Sequence, residues 1–252
     1  MIKTNFHTHT NLCDGADTPE EIVLTAIEKG FTSLGFSGHS YYEFEKDVTM
    51  TPEKLENYIS EVNRLQEKYK DKIEILLGLE QDYYSPTPNY KFDYLIGSVH
   101  MLKKNGEFLP VDASSESNKQ VVNPIYNGDF DAFAEHYFET VADVINKTKA
   151  DIVGHIDLIS KYSEINGYGQ SKRFLKAAEN TIDSLIKFDC LFEINTGAMA
   201  RKVKNIPYPS LEILKMIKQR GGKIIISSDC HDRQHLDFGF DKAVKLALDA
   251  GF

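Results

Sequence analysis

The chain has 252 residues, 41% of them hydrophobic and 27% charged, a balance typical of a globular protein that buries a core without disulfides. Its net charge of −9 and isoelectric point of about 5.4 argue against a broad nucleic-acid or anionic-membrane surface. The three widely spaced cysteines predict neither a disulfide framework nor a thiolate zinc site, and no apolar stretch approaches the roughly 18 residues of a membrane span. Because no signal peptide precedes the first strand, we expect a cytoplasmic protein.

Strand-like apolar segments alternate with amphipathic helices along the chain. Thr18-Pro19 starts the first helix and Thr51-Pro52 starts the second, since threonine caps a helix well and proline fits its first turn. Further helices are expected over 130–147, from Ser171, over 209–219 and over 241–250. The seven predicted strands cover about 2–6, 33–37, 73–79, 93–99, 151–154, 190–195 and 223–228. This alternation predicts an α/β protein with a wound parallel sheet.

Two segments interrupt this alternation. Residues 81–92 are polar and contain prolines, and residues 101–128 are rich in turn formers, so both are expected to be loops that shape a substrate pocket. The sequence shows no internal repeat and no linker. We therefore expect a single domain over residues 1–252.

Six of the eight histidines lie where a strand-like segment ends, and carboxylates lie at the same places. These residues are His7, His9, His39, His100, His155 and His231, with the carboxylates Asp14, Glu80 and Asp229. Imidazoles and carboxylates bind zinc, manganese and iron, and the carboxyl ends of parallel strands meet at one rim of a barrel. The pattern predicts a metal-dependent hydrolytic site.

Local sequence supports individual members of this set. His7 and His9 are two apart on a strand and so point to the same side, and Glu80 would be a costly buried charge without a cation beside it. His136, within a helical pattern, and His235, in a loop, are interpreted as structural residues. Nine candidate ligands exceed what one tetrahedral zinc needs, so two or three ions are implied, a number suited to phosphoester hydrolysis.

The motifs, taken in order, resemble those of the PHP (polymerase and histidinol phosphatase) superfamily. They are His7-Thr8-His9, Ser37-Gly38-His39-Ser40, Gly78-Leu79-Glu80, Gly97-Ser98-Val99-His100, Gly154-His155-Ile156-Asp157 and Ser228-Asp229-Cys230-His231. The resemblance covers nearly the whole chain. It implies a distorted seven-stranded (β/α) TIM-like barrel with a trinuclear centre of divalent zinc, manganese or iron.

The resemblance also implies how the ligands are shared. His7, His9, Glu80 and Asp229 would surround one ion, and Glu80 would bridge to a second ion held by His100 and His155. Asp14, His39 and His231 would hold the third. Many relatives carry histidine at the position of Asp14. The aspartate found here resembles the pattern of the histidinol-phosphatase branch.

That branch implies a small-molecule substrate, L-histidinol phosphate, and no nucleic-acid or membrane partner. Asp229 and His231 would be catalytic, while Arg201 and Lys161 would bind the phosphate or the rest of the substrate. Acidic loop residues, Asp112 or Glu116, would bind the substrate ammonium through charge complementarity. No serine or cysteine has a recognisable nucleophile setting, which favours direct attack by water.

Three alternatives remain. A PHP phosphoesterase could act on phosphotyrosine, a nucleotide or a sugar phosphate. An amidohydrolase barrel also begins with H-x-H, but its bridging lysine on the fourth strand is replaced here by His100, and Glu80 occupies the bridging place. A metal-binding module without activity is disfavoured because none of the nine candidate ligands is missing.

Overall fold

The computed structural model describes residues 2–43, 45 and 47–252, and nine strands are assigned within this part of the chain. They are β1 (Thr4–Asn5), β2 (Ser33–Phe36), β3 (Glu74–Asp82), β4 (Tyr94–Ser98), β5 (Met101–Lys104), β6 (Glu107–Pro110), β7 (Ile152–Val153), β8 (Leu191–Asn195) and β9 (Lys223–Ser227). Seven of them form one sheet in the order β1-β2-β3-β4-β7-β8-β9, and every neighbouring pair is parallel. β5 and β6 form a separate antiparallel hairpin.

The last strand of the sheet returns to the first. Asn5 Nδ2 donates to Ser228 Oγ at 2.6 Å, and the backbone N–H of His9 donates to the Cys230 carbonyl at 3.0 Å. These contacts nearly close the sheet into a barrel, which confirms the predicted seven-stranded α/β barrel. Because the strands are parallel, all their carboxyl ends lie at one rim.

Helices follow most of the strands. They are α1 (Pro19–Glu28), α2 (Pro52–Tyr69), α3 (Ser115–Ile125), α4 (Phe130–Ala142), α5 (Val144–Thr148), α6 (Ser163–Asn166), α7 (Lys172–Leu185), α8 (Gly197–Ala200), α9 (Leu211–Gln219) and α10 (Phe240–Asp249). Thr18 caps α1 through a reciprocal capping box with Glu21, and Thr51 caps α2 by accepting from Lys54 N. Within the described residues, no helix has both the length and the apolar composition that crossing a membrane requires.

Tyr94 fills the barrel interior away from the rim. Its hydroxyl oxygen lies 2.6 Å from the Phe6 carbonyl and 3.0 Å from the Phe36 carbonyl, which share its one donor, and so links β4 to β2 and to the residue after β1. Gly78 leaves the room for this ring, since a Cβ there would lie 2.3 Å from Tyr94 Cζ. The ring therefore packs inside the barrel against Gly35 of β2 and Gly78 of β3.

The structure differs from the sequence prediction in two segments. Residues 101–128, expected to be a loop, form the β5–β6 hairpin and α3 instead. β3 runs on to Asp82, so Glu80 lies inside the strand and not after it. Polar composition suggested a loop, but both segments lie against the carboxyl-end rim, where buried polar side chains find partners.

Candidate metal centre

All nine candidate ligands lie at the carboxyl-end rim of the barrel. His7 and His9 follow β1, and Asp14 lies in the turn beyond them. Glu80 lies near the end of β3, and the other five follow β2, β4, β7 and β9: His39, His100, His155, Asp229 and His231. Residues up to 224 positions apart in sequence are thereby brought into one cluster, as the parallel barrel predicts.

Glu80 lies at the centre of this cluster with 1% of its surface exposed. Five imidazole nitrogens lie within 3.5 Å of its carboxylate. The distances are 3.3 Å from His7 Nε2, 3.5 Å from His9 Nε2, 2.9 Å from His39 Nδ1, 3.5 Å from His100 Nε2 and 3.1 Å from His155 Nε2. Such a concentration of ligand atoms around one carboxylate is typical of a bridging position between metal ions.

The charges of the cluster depend on one another. Burial opposes ionisation of Glu80, but the imidazoles of His7, His39 and His100 outweigh it and hold the pKa of Glu80 well below its usual range. Burial likewise opposes protonation of His7, yet Glu193, Glu80 and Asp229 raise its pKa to about 10. The pKa values of His9, His39 and His100 are raised as well, so without metal, protons on these histidines balance the buried carboxylates.

Asp14 is the centre of a second group at the outer part of the rim. Its Oδ2 lies 3.0 Å from His231 Nε2 and 3.6 Å from His39 Nε2, and its Oδ1 lies 3.4 Å from His9 Nδ1. The rings of His9 and His231 are stacked at 4.1 Å. Asp14 thus contacts three of the candidate ligands.

The donor set fits divalent metal ions. Three groups have ligand atoms that all lie within 4.8 Å of one another: His9–Asp14–His39–His231, His7–His9–Asp229 and His39–Glu80–His100. Buried atoms of this cluster lack a hydrogen-bond partner in the structure, namely His7 Nε2, His9 Nε2, Asp14 Oδ1, Glu80 Oε2 and His155 Nδ1. Buried polar atoms are normally paired, so this many unpaired ligand atoms in one cluster favour a site built for cations. The groups overlap more than the expected division, since His9 and His39 each belong to two of them.

Two buried carboxylates behind the ligands have no predicted role. Glu193 on β8 lies 2.6 Å from His7 Nδ1, and Asp82 on β3 accepts from the backbone N–H of His100 at 2.9 Å and lies 3.2 Å from its Nδ1. The sequence did carry a signal for both. Glu193 interrupts an apolar strand as Glu80 does, and Asp82 is two residues from Glu80, on the same face of the strand.

A cavity of about 580 Å³ opens above the cluster. Arg201 lines it, with Nη2 3.1 Å from Asp229 Oδ2 and Nη1 3.0 Å from His231 Nδ1. Lys161 also lines it and donates to Asp112 Oδ2 at 2.7 Å. Both predicted cations therefore line the cavity, and Arg201 contacts two candidate ligands.

Other side chains named from the sequence lie elsewhere. Glu116 is exposed in the first turn of α3 and does not line the cavity, whereas Asp112 does. His136 lies on α4 with its Nδ1 2.7 Å from the Tyr126 hydroxyl, and His235 packs against Phe238 in a short turn. Neither of these two histidines belongs to the metal-binding groups found among the described residues.

The acidic wall of the cavity extends beyond the prediction. Glu45 and Asp47 line it together with Asp112. Burial raises the pKa of Glu45, and Asp112 and Asp82 add to this effect while His100 opposes it. The cavity is thus lined by candidate metal ligands, by the cations Arg201 and Lys161, and by three further carboxylates, Glu45, Asp47 and Asp112, which together are called the acidic wall.

Comparison with known proteins finds a family model that matches most of the chain. The family model of the PHP domain matches residues 5–197. A histidinol-phosphatase of Bacillus subtilis is 24% identical over an alignment of 264 positions that covers 96% of this chain and 98% of that protein.

Two solved structures share the fold. HisK of Listeria monocytogenes superposes with a TM-score of 0.83 at 23% identity, covering 95% of this chain and 99% of that one. The histidinol phosphate phosphatase HisK of Lactococcus lactis, crystallised with zinc, L-histidinol and phosphate, gives a TM-score of 0.72 at 23% identity and covers 99% and 94% of the two chains. At these identities the superpositions establish the fold.

Proposed function

The chain belongs to the PHP domain family, and we propose that it is a metal-dependent phosphomonoesterase that hydrolyses L-histidinol phosphate to L-histidinol and inorganic phosphate. The observation that carries this proposal is the cavity itself, which joins a cluster suited to divalent metals to an acidic wall. Nucleotides and sugar phosphates carry no positive charge for such a wall, whereas histidinol phosphate carries an ammonium and an imidazole. The similarity to histidinol-phosphatases over nearly the whole chain supports the same substrate.

We propose that the centre is trinuclear, with zinc, manganese or iron as the ions. His7, His9, Glu80 and Asp229 would hold one ion, Glu80 with His100 and His155 a second, and Asp14, His39 and His231 a third. When bound, such ions lower the pKa of coordinated water and neutralise negative charge on phosphate oxygens.

The cations of the cavity would bind the phosphate. Arg201 has five N–H groups and uses two nitrogens on Asp229 and His231, so further donors remain for phosphate oxygens. Lys161 has three N–H groups and donates to the carboxylate and carbonyl of Asp112, which leaves one donor. Arg201 is accordingly assigned to the phosphate, and Lys161 to the outer part of the substrate.

Asp229 and His231 line the same cavity and are assigned to proton transfer. Water adds its oxygen to phosphorus, the ester bond between phosphorus and the alcohol oxygen breaks, and a proton passes to the leaving alcohol. No phosphoenzyme forms in this scheme, because the nucleophile is water.

The test is phosphate release by the purified, zinc- or manganese-loaded protein from L-histidinol phosphate, phosphotyrosine, a nucleoside monophosphate and a sugar phosphate. We expect histidinol phosphate to lead in kcat/KM by roughly 10- to 100-fold, the range of one or two charge-assisted contacts. H9N should abolish release, and the matched variant H235N, outside the cluster, should retain it. If another ester has the highest kcat/KM, the protein is a phosphomonoesterase with a different substrate. No phosphate release from any ester would refute the proposal.

A further inference from the structure

Strand β8 contributes no candidate metal ligand but carries two buried polar side chains against the cluster. Glu193 and Asn195 are both 0% exposed and lie two residues apart, so they share a face of the strand. Glu193 Oε1 lies 2.6 Å from His7 Nδ1, and its Oε2 accepts from the backbone N–H of His155 at 2.8 Å and from Asn195 Nδ2 at 3.0 Å. Asn195 Nδ2 also lies 3.3 Å from Asp229 Oδ2.

These contacts restrict which nitrogen of His7 carries a proton. Glu193 Oε2 already accepts two N–H donors, and a carboxylate held in this way can only accept hydrogen bonds. Its partner on His7 must therefore be an Nδ1–H group. His7 Nε2, which has no hydrogen-bond partner, lies 3.3 Å from Glu80 and 3.7 Å from Asp229.

We propose that Glu193 is a positioning residue for the metal centre: it fixes His7 as the Nδ1–H tautomer with Nε2 directed to the metal, and with Asn195 it aligns His155 and Asp229. One carboxylate–amide pair on a strand without ligands thus connects the ligands of β1, β7 and β9. A carboxylate behind a ligating imidazole sets its orientation and raises its basicity. The inference rests on the metal centre proposed above.

The Glu193→Gln substitution has a specific consequence here. Two N–H donors, from His155 and Asn195, face Oε2, so the amide oxygen of glutamine must take that place. The amide NH2 then faces His7 Nδ1 and demands a lone pair there. This selects the Nε2–H tautomer, which blocks the nitrogen needed for metal. Glutamine is therefore not a conservative replacement at this position, despite its nearly equal size.

The test measures zinc content and zinc affinity by chelator competition in the full-length protein, together with the melting temperature of each variant. We expect E193Q to lose roughly 10- to 100-fold in affinity for at least one ion. E193D, which keeps an acceptor-only group, should retain more affinity than E193Q. E74Q, which neutralises an exposed glutamate at the opposite end of β3, should match the wild type.

A second measurement needs no variant of Glu193. In the zinc-loaded wild type, NMR should detect a slowly exchanging Nδ1–H proton of His7, assigned by its loss in H7Q. An unchanged zinc affinity in folded E193Q, or zinc bound through His7 Nδ1, would overturn the inference while leaving the centre intact. A wild-type protein that binds no metal would instead refute the proposed centre.

Discussion

Asp229 has a backbone conformation that residues other than glycine seldom adopt, with φ of 47°. Its carboxylate is held by Arg201 Nη2 at 3.1 Å and Asn195 Nδ2 at 3.3 Å. Such a conformation costs about 1–3 kcal/mol and persists where the surroundings fix it, frequently at functional sites. The strain is consistent with the metal-binding and catalytic role proposed for Asp229.

Arg201 should be sensitive even to replacement by lysine. An ammonium keeps the charge but cannot bind Asp229, His231 and a phosphate with one planar fork. Loss of charge-assisted hydrogen bonds worth about 1.5–3 kcal/mol predicts that R201K lowers kcat/KM roughly 10- to 100-fold. Steady-state kinetics check this, with the exposed R173K as the matched control. Equal kcat/KM in R201K and wild type would remove Arg201 from phosphate binding.

Gly197 provides space for the same pair of side chains. A Cβ at this position would lie 2.8 Å from Asp229 Oδ2 and 3.0 Å from Arg201 Nη2. We expect G197A to displace both side chains, to lower the free energy of unfolding by about 1–3 kcal/mol and to reduce kcat/KM at least about tenfold. Denaturant unfolding and kinetics measure the two effects. G169A, where a Cβ meets nothing within 4 Å, should behave as the wild type, and equal behaviour of both variants would contradict the steric argument.

At the scale of elements, the Asp112–Lys161 ion pair joins the segment after the β5–β6 hairpin to the turn after β7. Lys161 Nζ donates to both the carboxylate and the carbonyl of Asp112, at 2.7 and 3.1 Å. This contact fixes one wall of the cavity to the barrel. The hairpin and the segment that follows it therefore belong to the site.

This pair predicts a pH dependence of stability. Burial opposes ionisation of Asp112, but Lys161 and His100 outweigh it and lower its pKa to about 2, against about 3.8 in an unfolded chain. The stabilisation of about 2 kcal/mol that this difference represents is complete above about pH 5 and is lost as the pH falls from there through about 2. Urea unfolding of wild type and D112N between pH 2 and 7 should show the difference in free energy shrinking towards acid. A constant difference would show that the carboxylate charge is not responsible.

Regular elements were more predictable from the sequence than the segments at the rim. Thr18 and Thr51 cap helices as expected, because capping depends on contacts within four residues. The hairpin and α3 in 101–128 depend instead on contacts with distant parts of the chain, such as Lys161 with Asp112. Local composition cannot report these contacts, and it therefore suggested a loop.

The same distinction applies to the candidate site. His7 and Glu80 could be singled out because a polar residue that ends or interrupts an apolar strand is unusual in itself. Glu193 satisfied the same criterion but was given no role, since its partner His7 lies 186 residues away and only the closed barrel brings them together. Whether a buried polar residue is a candidate ligand or supports one depends on strand register and barrel closure more than on its residue type.

For the whole molecule, the barrel brings several buried carboxylates to one rim and must balance their charge. In the metal-free protein, protons on histidines supply this balance, as the raised pKa of His7 indicates. Metal binding requires these histidines to lose their protons. Metal affinity should therefore fall as the pH is lowered, and the stabilisation that metal supplies should fall with it.

Removal of metal should consequently destabilise the whole barrel, because the proposed ligands come from six strands, β1, β2, β3, β4, β7 and β9, which the proposed ions would connect. At a free concentration 100 times Kd, one ion contributes about 2.7 kcal/mol, which corresponds to roughly 5–10 °C in Tm for a chain of this size. We expect dialysis against a chelator to lower Tm by at least this amount and readdition of zinc or manganese to restore it, by differential scanning calorimetry at pH 7.5. H235N should show the full shift, whereas H9N should show a smaller one because a ligand shared by two groups is missing. Equal Tm values with and without metal would mean that the ions contribute nothing to the closure of the barrel.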